Sequence, residues 1–441
     1  MAYAILALLV WVTLPLGSNR PWSGMLFVLF TTLLSGAWAW FNLRHSVTEF
    51  KVSRAFKVAR PLFILLVISQ CWVCLQWLLG ISQNNSQTFY YLLLGCSYSL
   101  LYLLIINLFA TRNKLTLLMM TLIVTGALQA FYGTAMTLSG LEWSFFADKT
   151  SYQGHATGTF VNRNHLAGYL EMTIACGIGL LLALRTGECF TLRSVLDLLM
   201  GPKAKIRLSL VIMVIGLVMS HSRMGNSAFF ISLVFVGSIF IATNKKDRIR
   251  NSLILVSLIL IDMLVISQYF GLEQLKDRLM STQFSDQVVN GEVVQKANEV
   301  RDNVVISMLP LLEKHPLVGN GAGSFESVYQ QYPGDDIRLH FDHAHNDYLQ
   351  FLVEFGVIGL LPLIIFTLMS LWYALQALLM RKSWYRSGIG FASLMGILSI
   401  LIHSLTDFNL QIPANAATFT TLCAIAVLAK YHVKTKKRNK I

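Results

Sequence analysis

Residues 342–359 read DHAHNDYLQFLVEFGVIG, which places two histidines, His343 and His345, directly before a long apolar run. Asn346 is a good helix N-cap, and Asp347 suits the positive end of a helix that begins there. The pattern therefore predicts that both histidines lie at the mouth of a membrane helix, just outside the lipid. Titratable groups held in such a place are suited to proton transfer on a lipid-borne substrate.

The composition on both sides of this stretch is that of a membrane protein. The chain has 441 residues, of which 55% are hydrophobic and 13% are charged, and its mean hydropathy is +0.59. A soluble domain carries about twice that charged fraction. We therefore expect an all-α polytopic membrane protein with about 12 transmembrane helices. Hydropathy places these helices near residues 2–17, 22–41, 61–81, 89–110, 115–138, 166–184, 208–220, 226–243, 252–270, 348–380, 387–405 and 413–430.

The net charge of +13 lies mainly in short basic clusters between the apolar runs. This distribution follows the positive-inside rule and argues against a nucleic-acid surface. It places the N-terminus inside and a long polar insert, residues 271–347, outside. The chain then divides into nine transmembrane helices at residues 1–270, this helical loop, three more transmembrane helices at residues 348–430, and a basic cytoplasmic tail at residues 431–441. Apolar spacing predicts an amphipathic helix over residues 293–312 of the insert.

Arg163 and Arg223 are among the few cations in the short outer segments. The planar guanidinium group offers several donors that suit phosphate oxygens. Two such groups near the outer leaflet would suit the diphosphate of a polyprenyl-linked sugar donor. The alternative is that each arginine pairs with an acid, such as Glu171 or Asp407, or extends to the lipid headgroups.

Other polar groups occur in or beside apolar runs. His403 and Asp407 are four residues apart and share a helix face, which indicates either a local hydrogen bond at a helix end or a part in catalysis. Glu354 lies about two turns below Asp347. An acid at that depth is expected to face a water-filled cavity or a cation.

The His-x-His pair at His343 and His345, with a carboxylate nearby, is a weak zinc pattern. None of the six cysteines lies in the polar insert, so no cysteine completes a ligand set there. A metal-free general base at His345 is therefore the preferred interpretation.

The spacing of His345 and Asn346, nine residues, Gly356, two residues and Gly359 resembles the signature of the O-antigen ligase and polysaccharide polymerase superfamily. The resemblance covers residues from about 150 to about 430. It is carried by four further segments: Thr159–Asn164, Ser222–Gly225, Pro316–Phe325 and His403–Asn409.

The resemblance implies a helical membrane glycosyltransferase that moves glycan from undecaprenyl diphosphate to an acceptor on the periplasmic side of the bacterial inner membrane. The acceptor is lipid A-core for a ligase and a growing glycan for a polymerase, and the activity needs no metal or other cofactor. The chain lacks the Arg-x-x-x-Leu element that ligases often show, since Arg223 is followed by Ser227 and Arg163 by Ala167. Ligase, polymerase and a ligase that glycosylates protein all stay open.

In the predicted mechanism, His345 accepts the proton of an acceptor hydroxyl, with Asp347 or Asp342 orienting its ring and His343 beside it. Arg163 and Arg223 offset the charge that develops on the leaving diphosphate. The residues expected to support the site are Asn164, Asn346, Glu354, His403 and Asp407.

A competing class is a transporter or flippase for the same lipid-linked glycan. Acids within spans, such as Glu171, Asp262 and Glu354, are what ion-coupled carriers use. Against this interpretation, the polar groups gather on one face of the membrane, and the sequence shows no pair of interrupted spans in two matching halves.

Overall fold

The computed structural model describes residues 1–45, 52–144, 148–184, 203–243, 287–289, 292–295, 310–330 and 342–433, with single positions at 248, 252, 256 and 308. The described residues are mostly helical, which confirms the expected all-α polytopic fold. The helices are α1 Ala2–Trp11, α2 Pro21–His45, α3 Arg54–Leu78, α4 Asn85–Leu108, α5 Arg112–Ser139, α6 Arg163–Ala183, α7 Ala204–Met219, α8 Arg223–Thr243, α9 Phe325–Tyr329, α10 Asp347–Leu378, α11 Trp384–His403 and α12 Pro413–Tyr431.

Within the described ranges, nine helices are long and apolar enough to cross a membrane: α2 to α6, α8 and α10 to α12. They coincide with nine of the twelve predicted spans. The predicted span 2–17 contains a ten-residue helix and a short 3-10 helix, Leu16–Ser18. The predicted span 208–220 falls in α7, which has 16 residues. The predicted span 252–270 and its Asp262 lie outside the described residues, apart from positions 252 and 256.

In the insert, two short strands form an antiparallel hairpin, β1 Gln287–Val289 and β2 Glu292–Gln295. The predicted amphipathic helix over residues 293–312 is therefore wrong at its start, because residues 293–295 pair with a neighbouring strand. Most of the remainder of that stretch lies outside the described residues, and the division of the chain into membrane and insert regions stays a prediction.

Side-chain caps fix the starts of several helices. An asparagine or serine oxygen accepts a backbone N–H of the first turn and so satisfies a donor that has no partner within the helix. The caps of this kind are Ser53 on α3, Asn84 on α4, Asn162 on α6, Asn346 on α10 and Ser383 on α11. The cap predicted at Asn346 is confirmed, and it sets the position of His345 directly before the helix.

Helix α6 is buried along its whole length and packs along α11 at the centre of the bundle. Small residues allow this close approach, as is common for helices in membranes. A Cβ atom on Gly179 would overlap the carbonyl of Gly388, and a Cβ atom on Gly388 would overlap the backbone at Ala183.

Helix α10 is broken at Gly356, whose φ of 62° and ψ of 179° lie in a region that only glycine adopts readily. The N–H groups of Val357 and Ile358 donate to the carbonyls of Pro316 and Leu317 instead of bonding within the helix. The insert also donates to the broken helix, because Asn320 N–H bonds to the Val353 carbonyl and Gly321 N–H to the Glu354 carbonyl. The glycine-rich segment of the insert is therefore fastened to the break in α10.

Candidate active site

Polar side chains gather at one end of the bundle, where α6, α8, α10 and α12 begin and α11 ends. Hydrogen bonds from backbone N–H groups join the segments there. Asp347 N–H donates to the Ser404 carbonyl, and Leu410 N–H donates to the Asp347 carboxylate. The Asn415 side chain donates to the His165 carbonyl, which links α12 to the start of α6. Most of the residues singled out from the sequence lie at this end.

The centre of the cluster is a carboxylate between two histidines. Asp407 Oδ1 lies 3.7 Å from His345 Nδ1 and 3.8 Å from His165 Nε2. Asp407 and His165 are 1% and 2% exposed, whereas His345 is 19% exposed. The arrangement leaves part of the His345 ring accessible, while a buried carboxylate lies beside its Nδ1.

Phe408 supplies the apolar wall of this cluster. Its ring stacks on His343 at a centroid distance of 4.2 Å, and the rings of His345 and His165 meet it edge-on at 4.9 and 4.7 Å. Three imidazoles are therefore packed around one aromatic ring. Such packing limits ring rotation and fixes the direction of each imidazole nitrogen.

Asp407 is held as an anion. Burial by itself would raise the pKa of its carboxyl, but the close approach of the His345 ring and the neighbouring His165 and His403 keep that pKa well below its ordinary value. The Phe408 N–H also donates to Asp407 Oδ1 at 2.8 Å. A fixed negative charge beside His345 favours the protonated imidazole that a general base becomes.

His343 has a different environment from His345. Its Nδ1 lies 2.9 Å from the Gln350 side-chain nitrogen, and the Gln350 oxygen accepts the Ala344 N–H at 3.0 Å. Burial lowers the pKa of His343 from its ordinary value of 6.5 to about 4, with Asp342 acting in the opposite direction. His343 is thus a neutral ring that packs beside the accessible one.

Asp347, expected to orient His345, has its carboxylate directed elsewhere. Its Oδ2 accepts hydrogen bonds from Ser404 Oγ at 2.7 Å and from Leu410 N–H at 3.0 Å. It therefore joins the start of α10 to the segment between α11 and α12. The acid that the structure brings beside His345 is Asp407.

His403 also has a partner that sequence spacing did not indicate. Its Nδ1 lies 2.7 Å from Glu171 Oε1 on α6, rather than bonding to Asp407 four residues later. Ser399 Oγ donates to the other Glu171 oxygen at 2.6 Å. All three residues are fully buried, so this group joins α6 to α11 inside the bundle.

Glu354 is fully buried and accepts hydrogen bonds beside the break in α10. One carboxylate oxygen accepts the Gly323 N–H at 3.0 Å, and the other accepts a hydrogen bond from the Gln350 side chain at 3.0 Å. A water-filled cavity or a cation was expected at this acid, and the structure instead shows two hydrogen bonds to the Glu354 carboxylate from within the protein. Through Gln350, Glu354 also supports His343.

Arg163 and Arg223 are the first residues of α6 and α8. These two helices touch near their starts, because Gly225 leaves just enough room for Ala167. A guanidinium nitrogen of Arg163 lies 3.2 Å from both ring nitrogens of His155. Both arginines thus lie at the end of the bundle that carries His345. Glu171 and Asp407, the acids considered as their partners, contact histidines instead.

The side chains of Arg163 and His165 point to different sides of α6. Residues two apart on a helix point roughly 200° away from each other. Arg163 contacts His155, and His165 contacts Asp407 and Phe408. Asn164, between them, is buried, and its N–H is capped by the Asn162 side chain at 2.9 Å.

Sequence reasoning missed His165, Phe408 and Gln350 as parts of the cluster. Phe408 belongs to a segment that carried the family resemblance, His403–Asn409, and His165 directly follows another, Thr159–Asn164. That was the available signal. Gln350 stands four residues before Glu354, the spacing of a side-chain pair on one helix face.

The fold and the site together define a class: a multi-pass helical membrane protein whose titratable residues meet at one end of the bundle. Residues 208–364 match the family model described as O-antigen ligase. This match confirms the predicted resemblance to the O-antigen ligase and polysaccharide polymerase superfamily, and it supports a function in surface polysaccharide assembly. The matched region includes Arg223 and His345. A search of curated proteins gave no significant match.

Proposed function

We propose that this protein transfers glycan from undecaprenyl diphosphate to an acceptor glycan, as an O-antigen ligase does, at the periplasmic face of the bacterial inner membrane. The observation that carries the proposal is the accessible His345 ring held against the buried Asp407 carboxylate. The family match over residues 208–364 supports the reaction class.

In the proposed reaction, His345 takes the proton from an acceptor hydroxyl as that oxygen attacks the anomeric carbon. The bond between the anomeric carbon and the diphosphate oxygen breaks, its electron pair leaves with undecaprenyl diphosphate, and the configuration inverts. Asp407 keeps the imidazole oriented and stabilises its protonated form. His343 and Phe408 restrict ring movement. The scheme needs no metal ion.

The leaving group of this reaction is an anion, and we assign its binding to Arg163 and Arg223. Both residues occupy the positive ends of helices, where an anion is stabilised by the backbone dipoles. Guanidinium groups that meet the diphosphate as charge develops would lower the barrier of bond cleavage.

The test is transfer by purified protein in detergent, given the lipid-linked donor and an acceptor glycan. A general base contributes about 10²–10⁴-fold, so His345→Ala should slow product formation by that factor. His315→Ala is the matched control, because the described contact of His315 is made by its backbone carbonyl. Wild-type transfer by a well-folded His345→Ala protein would refute the assignment, and absence of any covalent product from wild type would favour a flippase.

The surface glycan of a deletion strain separates ligase from polymerase. Polymer that accumulates on the lipid carrier indicates a ligase. Single repeats attached to lipid A-core, without long glycan, indicate a polymerase.

A further inference from the structure

Three side chains that can carry positive charge meet on the α8 side of the α6 start. They come from three separate segments: His155 from the loop before α6, Arg163 from α6 itself, and His221 from the turn between α7 and α8. His155 Nδ1 lies 2.8 Å from His221 Nδ1, and Arg163 lies 3.2 Å from the His155 ring. The two imidazoles meet edge-to-face at a centroid distance of 4.8 Å.

The chemistry of these groups limits how they can bond to one another. Arginine only donates, so the nitrogen of His155 that bonds to Arg163 must accept. The 2.8 Å contact between the two imidazoles holds one proton, since two facing N–H groups would repel. A ligand with several anionic oxygens would accept hydrogen bonds from all three side chains.

The loop that carries His155 is held in place by its own ion pair. Lys149 Nζ bonds to Glu142 Oε2 at 2.7 Å, and Gly154 N–H donates to the other Glu142 oxygen at 2.6 Å. Lys149 also donates to the carbonyl of His155. Glu142 is therefore already balanced by a lysine and a backbone N–H.

His221 is fixed by its backbone as well. Its φ of 55° lies in the left-handed region, which residues other than glycine seldom adopt and which is common at functional sites. The end of α7 is joined to the His155 loop, because Ala156 N–H donates to the Met219 carbonyl at 2.9 Å. Both histidines are thus positioned before any ligand arrives.

We propose that His155 and His221 complete, with Arg163, the pocket that binds the diphosphate group of the lipid-linked donor. This inference rests on the proposed function and adds two residues to it. A diphosphate has enough oxygens to occupy donors that converge from three segments, and the positive end of α6 lies at the same point. The diphosphate then lies on the α8 side of α6, and His345 lies on the other side. The donor therefore extends around the start of α6, so that its glycosidic bond reaches His345.

The experiment measures binding of inorganic pyrophosphate and of a short polyprenyl diphosphate to the full-length protein in detergent, without divalent cations. His155→Ala and His221→Ala should each weaken binding about 10- to 100-fold, as loss of a hydrogen bond to a charged group does. Gln153→Ala, an exposed position of the same loop, is the control and should bind as wild type does. His155→Arg supplies N–H donors and a fixed positive charge at this position and should retain most of the affinity.

Two outcomes would overturn the pocket. One is wild-type pyrophosphate affinity in both histidine-to-alanine proteins while their melting temperatures stay normal. The other is equal binding of the polyprenyl diphosphate, orthophosphate and a phosphatidylglycerol nanodisc, which would show general anion or headgroup attraction. If the alanine variants fail to fold, the pyrophosphate affinity of His155→Arg is the test. Retained affinity supports the pocket, and loss of affinity in a folded His155→Arg protein overturns it.

His345→Ala separates this inference from the proposed function. It should bind pyrophosphate normally and fail to transfer glycan. Normal glycan transfer by His345→Ala would refute His345 as the base and would not affect the proposed pocket. Normal pyrophosphate binding by the His155 and His221 variants would refute the pocket and would not affect the proposed base.

Discussion

At the scale of single residues, Asp407 and Asp347 are two buried acids at the same end of the bundle with different surroundings. Asp407 lies beside the accessible His345 ring, while Asp347 bonds to Ser404 and to the backbone of Leu410. Their substitutions should therefore affect different properties of the protein.

Asp407→Asn should lower the rate of glycan transfer by about 10²-fold, because the amide cannot stabilise a protonated His345. The rate is measured with saturating donor and acceptor. Asp347→Asn is the matched control and should mainly lower the melting temperature in detergent, with a smaller loss of rate. A catalytic defect that appears only in Asp347→Asn would contradict this division of roles.

The His343 ring gives a prediction on pH and stability. Its pKa falls from 6.5 to about 4 on folding because the ring is buried. The unfolded chain therefore binds this proton more readily, so stability falls as the pH drops from about 6.5 to about 4. His343→Gln, which cannot titrate, should flatten that part of the curve. Melting temperatures measured across this range test it, and identical slopes for both proteins would refute it.

Sequence reasoning reached some of these residues and missed others for a physical reason. The cap at Asn346 and the position of His345 before α10 depend on neighbours in the chain, so the local pattern revealed them. The contact of His345 with Asp407 and the meeting of His165 with Phe408 join residues far apart in sequence. Hydropathy and spacing carry no information on such contacts.

At the scale of elements, the break in α10 and the glycine-rich segment of the insert form one unit. Gly319 and Gly356 face each other so closely that a Cβ atom on either would overlap the backbone of the other segment. The sequence predicted α10 as one long span, residues 348–380, and gave no sign of its contact with the glycine-rich segment. The hydrogen bonds between them come from the folded arrangement, which periodicity does not encode.

Gly319→Ala should destabilise the protein by more than the roughly 1–3 kcal/mol that a left-handed φ costs a non-glycine residue. Gly80→Ala is the matched control, because Gly80 has a similar φ, 67° against 70°, with open space around it. The difference between the two melting temperatures in detergent isolates the overlap with α10. Equal effects would show that this close contact contributes nothing.

At the scale of the whole molecule, His345, Arg163 and Arg223 lie at one end of the bundle, and the rule for basic clusters predicts that this end faces outward. The positions of nine spans followed from hydropathy alone, since covering a bilayer with apolar residues is a local requirement. The order in which helices pack, with α6 buried against α11, could not be inferred in this way.

Orientation in the cell can be measured with single cysteines in a protein whose six native cysteines are replaced by alanine. Gln153→Cys should react with a membrane-impermeant maleimide in cells whose outer membrane is permeabilised. Lys382→Cys, between α10 and α11, should react only after the inner membrane is broken. The reverse pattern would place the His345 end in the cytoplasm.

The hydrogen bonds between the glycine-rich segment of the insert and α10 have a mechanical consequence. Asn320 and Gly321 donate to the carbonyls of Val353 and Glu354, and Gln350 links Glu354 to His343. Residues 316–321 and the nine residues of α10 before Gly356 are therefore joined, and the chain of hydrogen bonds ends at the His343 ring. A displacement of residues 316–321 would therefore be transmitted through Glu354 and Gln350 to His343, the ring that packs beside the proposed base.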